Sequence, residues 1–409
     1  MGEKMKKVAI TLSRKAIKYN NLFTNGIHQN IYTLQKILTK TGLYDVSLFY
    51  DYTAHTEPFE DGTFTYVIGS KEHQQDLALL EEEKKQFHKL YPHFDINKVY
   101  HRSLTTVEEG NILEDFDLVI EAGYCYDLPN IKKIRKVNPN IKIAFLAYGN
   151  MYFGALEKLV FPSLGATIPY NEGRDAVWMS PHFEDWLEWH KTLLQAPIAA
   201  VAPYVWSPDF FEKKINKLSL TRETFSTPDN NNIAVLEPNI GFVKSCLTPV
   251  VTIENLYNRN PDLIDAAYIL NADKLMETDA AKSMFTKLNV VQSGKMSFER
   301  RYGLAHMFNK NARVLLSHQH CCALNYVYLE ALYLGIPLVH NSPFFKEAGY
   351  YYEGFDINSA SLQLEKALEN KNSDNPNGDR AEDYIWQYSP ENPDNIDGYI
   401  RLIEEVLTK

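Results

Sequence analysis

Glu330 is the residue whose setting most needs a chemical reason. It falls in Leu324–Leu334, which is apolar almost all round through Leu324, Val327, Leu329, Ala331, Leu332 and Leu334, and a helix of that composition is a buried one. A carboxylate placed there needs partners. These are either a ligand's hydroxyl groups or N–H groups of the surrounding chain. Just upstream, "HQHCCALN" brings His318, Gln319 and His320 between the apolar run Arg313–Ser317 and that helix. Two histidines beside Cys321 and Cys322 suggest zinc, but no second ligand pair follows at useful spacing, so no metal is expected. In "EPNIGFVKSC", Lys244 stands seven residues beyond Glu237. A lysine near a helix start can neutralise a phosphate, though most lysines are simply solvated. Asp115-Phe116-Asp117 has the DxD form of a metal motif, yet it opens a strand, so we read it as a solvated strand start.

The elements that position these residues follow from the hydrophobic pattern. Lys7–Leu12, Asp45–Tyr50, Phe64–Val67, Asp117–Ala122, Ile141–Ala147 and Ala199–Ala202 read as strands, and Ile27, Ile31, Leu34 and Leu38 mark a helix by their spacing. A second series, Ile233–Glu237, Ala267–Leu270, Val290–Gln292, Arg313–Ser317 and Ile336–His340, also alternates with helices. Gly335 stops the helix that holds Glu330. Strand–helix alternation predicts parallel sheets covered on both faces. Between the two series lie "APYVWSPDFF", rich in Pro and aromatics, and the polar stretch 216–232, which place the domain junction near 204–232. The fold class is therefore α/β, with two Rossmann-like domains facing across a cleft. Ile396, Tyr399, Ile400, Ile403 and Leu407 form one stripe, a helix in search of a surface.

The chain has 409 residues and a net charge of −10. That balance argues against a nucleic-acid binder. Four cysteines without a CxxC pair suit a reducing, cytoplasmic setting. No stretch approaches the roughly 20 apolar residues of a membrane span. Peripheral membrane contact stays open. The loop after the first strand, "SRKAIKYNNLFTNG", has only Gly26 where a dinucleotide fingerprint would need GxGxxG, which counts against a nicotinamide enzyme. Gly26 before a helix reads equally as an anion-approach glycine or a turn glycine.

"EALYLGIPLV", 330–339, together with Lys244 and the organisation around them, resembles the retaining glycosyltransferases of GT-B fold, most closely family 4, whose pattern there is E-x7-E closing in EAxxxGxPVV. The resemblance implies a donor domain at 204–393 and an acceptor domain at 1–203, to which the C-terminal helix 394–409 crosses back. Glu330 matches the family's second glutamate, which binds the donor ribose. Lys244 matches the phosphate lysine. Arg300 or Arg301 would stand in for its arginine partner, unless each simply lies on an exposed helix face. Cys322 replaces the first glutamate, which in the family contacts the donor sugar. Ala323 and Asn325 replace the glycines that meet the diphosphate.

The resemblance implies transfer of a sugar from a UDP- or GDP-sugar to a hydroxyl of a glycan or a lipid- or protein-linked acceptor. Configuration would be retained and no metal or other cofactor used. The donor site would comprise Glu237, Asn239, Lys244, Arg300, His318, His320, Leu324, Asn325, Tyr326 and Glu330, with Lys244, His318 and Glu330 closest to the chemistry. Asn25, Gly26, His28, Tyr124, Tyr148 and Asn150 would meet the acceptor. An inverting reaction would instead need a base, for which Asp51, His55 and Glu121 are placed. A nucleotide-sugar epimerase and a non-catalytic nucleotide-sugar binder are the competing readings. Trp178 and Trp206 read as packing residues.

Overall fold

The computed structural model describes residues 4–13, 26–51, 71–90, 92, 95–100, 115–123, 125–161, 173–371, 373 and 375–409. They form two compact units: 1–210 with 388–409, and 211–387.

Among the described residues the first unit holds seven strands: β1 (Lys6–Ser13), β2 (Tyr44–Asp51), β3 (Val99–Tyr100), β4 (Leu118–Glu121), β5 (Lys142–Ala147), β6 (Ala176–Met179) and β7 (Ile198–Val201). Their order is β3-β2-β1-β4-β5-β6-β7, and every pairing is parallel. Strands buried on both faces become continuous apolar runs, as "LVIE" and "AVWM" show, each buried at all four positions. Trp178 and Trp206 are packing residues, both fully buried. The helix Pro393–Thr408 sends Tyr399, Leu402, Ile403 and Val406 into the core of this unit. Gly398 permits that approach, because a Cβ there would lie 2.6 Å from Pro203 Cγ. The Tyr399 hydroxyl donates to the Pro203 carbonyl at 2.7 Å.

The second unit orders its six strands β10-β9-β8-β11-β12-β13, again all parallel. They are β8 (Asn232–Val235), β9 (Ala266–Ile269), β10 (Met296–Phe298), β11 (Val314–Leu316), β12 (Leu338–His340) and β13 (Tyr350–Tyr351). Both units are thus doubly wound, and in each the order reverses beside the unit's first strand. Ligands of such sheets lie beyond the carboxyl ends of the strands at that reversal.

One expected strand is corrected. Val290–Gln292 lies in the short helix Asn289–Gln292, and the strand is Met296–Phe298. A run with only two apolar residues, Val290 and Val291, does not distinguish the two states; here Gln292 N–H closes a helical turn on the Leu288 carbonyl, and Gly294, at φ +77°, turns the chain towards β10. The expected strand Phe64–Val67 lies outside the described residues. The expected helix over 324–334 is observed as Tyr326–Tyr333, capped by Asn325 and stopped before Gly335 at φ +66°.

Candidate donor site at the carboxyl edge of the second sheet

Beyond β8 and β11 the chain builds a buried polar cluster around Glu237. One Glu237 oxygen accepts from the Ser317 hydroxyl at 2.5 Å and the His318 N–H at 3.2 Å, and the other accepts from Gln319 Nε2 at 2.5 Å. Burial pushes this carboxyl up to about 7, against the pull of Ser317, the Lys244 ammonium, the His318 N–H and Gln319. Lys244 also hydrogen-bonds the thiol of Cys322, whose pKa burial pushes up. His320 N–H donates to the Val243 carbonyl at 3.1 Å. The loop after β8 and the turn after β11 are therefore tied together at Glu237, Val243 and Lys244.

Asparagines hold the remaining walls. Asn239, at φ +55°, donates to the carbonyls of Glu237 and Asn271 at 3.1 and 3.2 Å and accepts from Cys246 N–H at 2.8 Å. Its amide is committed to shaping the loop. Asn341, just past β12, grips the backbone of Gln319 on both sides, accepting its N–H and donating to its carbonyl at 2.9 Å each. Ser342 donates to the Ala323 carbonyl at 2.7 Å. Cys321 occupies the left-handed region at φ +52°, a strained position for a non-glycine residue, of the kind that gathers at functional sites.

Two atoms of this cluster stand out. His318 Nε2 and Gln319 Oε1 are buried without a hydrogen-bond partner. The other His318 nitrogen faces the Tyr352 hydroxyl at 3.0 Å, and its ring lies 4.5 Å from that of Phe355, which is 57% exposed. Burial lowers the His318 pKa to about 4, so the ring is neutral at physiological pH. A neutral imidazole nitrogen and an amide oxygen left unpaired are costly unless something binds them.

The structure brings Glu237, Asn239, Lys244, His318 and His320 together. Leu324 is buried just before the helix, and Asn325 caps it, accepting from Val327 N–H at 3.3 Å. Tyr326 opens it. Glu330 sits on the face opposite Tyr328, whose hydroxyl meets Ser317 at 3.3 Å. Its oxygen lies 3.6 Å from the Lys214 ammonium, and its side chain keeps 12% exposure. Arg300 and Arg301 are exposed beyond β10, and Arg300 donates to the Tyr302 hydroxyl at 3.2 Å. Sequence reasoning missed Lys214, Asn341, Tyr352 and Phe355. The last three follow the carboxyl ends of β12 and β13, and that position alone marks them.

In the first unit, Gly26 opens the helix Gly26–Lys40, His28 is buried within it, and Asn150 caps Met151–Val160 through Phe153 N–H. Tyr148 packs against the core with its hydroxyl beside that of Tyr399. Asn25, Tyr124 and His55 lie outside the described residues. Asp51 ends β2. Glu121 is corrected as a base: it is fully buried, and both of its oxygens are held by Arg174, so it is closed to a substrate. The DxD pair is a strand start, Asp117 accepting from Lys7 N–H at 2.8 Å and Asp115 pairing with the Lys7 ammonium at 3.3 Å.

A family model described as "Protein of unknown function (DUF2827)" matches residues 70–403. The chain belongs to this family. No curated protein matches the DUF2827 chain. Among solved structures it is similar to the α,α-trehalose 6-phosphate synthase of Burkholderia multivorans, at 12% identity and a TM-score of 0.54 over 99% of this chain and 98% of that one. It is also similar to the UDP-forming α,α-trehalose-phosphate synthase of Burkholderia xenovorans, at 11% and 0.53 over 99% of each. TarM of S. aureus matches at 9% and 0.51, over 99% of this chain and 100% of that one. The DUF2827 chain therefore has the GT-B fold: two Rossmann-like units, with the helix 393–408 returned to the first.

Proposed function

We propose that this protein is a glycosyltransferase that takes a sugar from a nucleotide-sugar donor, UDP-linked in our reading, and passes it to an acceptor hydroxyl with retained configuration and without a metal. The observation that carries the reading is the cluster beyond β8 and β11. There, at the strand-order reversal, a lysine, a capped helix N-terminus and two unpaired buried polar atoms lie on a fold whose similar structures include a UDP-forming synthase and TarM in complex with UDP. Lys244 and the positive dipole end of Tyr326–Tyr333 would stabilise the negative charge that grows on the leaving diphosphate. The acceptor oxygen bonds the anomeric carbon as its bond to the phosphate oxygen breaks, and that phosphate oxygen takes the acceptor's proton. No protein base is then needed, which agrees with Glu121 being closed off by Arg174.

Incubation with a panel of nucleotide sugars tests the reading. Slow release of free sugar and nucleoside diphosphate is expected. An epimerised donor would replace our reading with an epimerase. Binding without turnover would leave a non-catalytic binder, the reading that Cys322 favours where the family-4 glycosyltransferases that the sequence resembles have a glutamate. UDP affinity, measured by calorimetry, is expected to be unchanged by chelator, and a strict requirement for a divalent ion would remove the metal-free mechanism. Lys244→Ala is expected to weaken UDP about tenfold, the low end for a hydrogen bond to a charged group, while uridine binding stays within about twofold. Equal losses for both ligands would place Lys244 away from the phosphates.

A further inference from the structure

Glu330 sits in a helix whose neighbours are apolar, and the ion pair with Lys214 is what distinguishes its surroundings. Lys214 comes from the helix Pro208–Asn216 and its ammonium lies 3.6 Å from a Glu330 oxygen, with 34% of the lysine side chain and 12% of the glutamate side chain exposed. Two other charged groups at Tyr333, one turn further along the same helix, are already engaged. Glu212, on the same helix as Lys214, takes the Tyr333 hydroxyl. Arg222 lies over the Tyr333 ring at 4.4 Å and pairs with Glu382.

We propose that Lys214 is a positioning residue for the nucleotide: it keeps Glu330 ionised and aimed so that both carboxylate oxygens can accept the ribose hydroxyls. This rests on the ribose reading of Glu330. Burial pushes the Glu330 carboxyl up, and Lys214 pulls it back. Without Lys214 the carboxyl is left to burial alone, takes a proton at higher pH, and exchanges one acceptor for an O–H. With 12% of its side chain exposed, the Glu330 carboxylate meets little water that could replace the lysine.

The test compares wild type, Lys214→Met, Lys214→Arg and Glu330→Gln. The Glu330 carboxyl is followed by side-chain carbon NMR, assigned through its absence in Glu330→Gln, and UDP affinity is measured from pH 5.5 to 8.5. Lys214→Met should titrate at least about one unit higher than wild type, which makes its UDP affinity roughly tenfold more sensitive to acid than wild type's. Lys214→Arg should keep the wild-type profile. In the Glu330→Gln background, Lys214→Met should add nothing. A carboxyl that titrates alike in wild type and Lys214→Met overturns the proposal, as do parallel affinity profiles. Wild type without UDP affinity overturns the ribose reading itself, and with it the nucleotide half of this proposal, whichever way the titration falls.

Discussion

Replacing Arg174 by methionine is expected to cost about 3–5 kcal/mol of stability at pH 8.5, the range for removing one partner of a buried ion pair. Arg174 and Glu121 are both fully buried. The guanidinium holds both carboxylate oxygens and also donates to the Tyr126 carbonyl at 2.8 Å, while Glu121 accepts Tyr126 N–H at 2.7 Å. Together they close the chain around β4, beside the strand-order reversal of the first sheet. The sign of the pH dependence follows from the carboxyl. Burial raises Glu121 to about 7 even with Arg174 opposing it, so in the wild type this group adds stability below its ordinary value near 4.3, and that contribution is lost as pH climbs towards 7. Without Arg174 the rise is unopposed. The variant then binds a proton instead of burying a bare charge, and its deficit is smaller at pH 6 than at pH 8.5. Thermal unfolding at both values reads this directly. A variant that melts with wild type at pH 8.5, or one whose deficit grows in acid, contradicts the account.

Glu330→Gln is expected to weaken UDP binding roughly 10- to 150-fold, the span of about 1.5–3 kcal/mol for hydrogen bonds to a charged group. The substitution keeps the shape and removes the charge and one acceptor. Lys214 loses its ion pair, but at 34% exposure its ammonium can turn to water, so the fold survives. The decisive measurement changes the ligand as well. A 2′,3′-dideoxy nucleotide should bind wild type much more weakly than UDP does, and the same change should matter far less to Glu330→Gln. A dideoxy penalty of equal size in both proteins, or a variant with normal affinity and a much lower melting temperature, assigns Glu330 to the architecture instead.

β5 and β8 were legible as apolar runs of four or more residues between polar segments. Val290–Gln292 failed because its two apolar residues, Val290 and Val291, carry no period. "DAVWMSPH" disclosed packing, through Trp178, but not that Ala176–Met179 is a strand between β5 and β7. Lys244, His318 and His320 could be placed near one another because each follows a strand end of one parallel sheet, and sequence order then fixes the edge. Their bonds were not legible. That Glu237 would gather three donors from the turn after β11, or that Asn239 would spend its amide on its own loop, depends on backbone angles such as Asn239's positive φ. The partner of Glu330 was hidden for another reason. Lys214 belongs to the segment between the two strand series, which the sequence marks only as a junction.

The return of the helix 393–408 to the first unit has a consequence for how the protein is made. Tyr399, Leu402, Ile403 and Val406 share a core with β1 and β2, so the strands that leave the ribosome early lack part of their interior until the whole second unit has followed them. Domains usually fold in order of synthesis. Here the first unit begins the chain but completes its core only with a helix made after residues 211–387, and until then it exposes the apolar face meant for that helix.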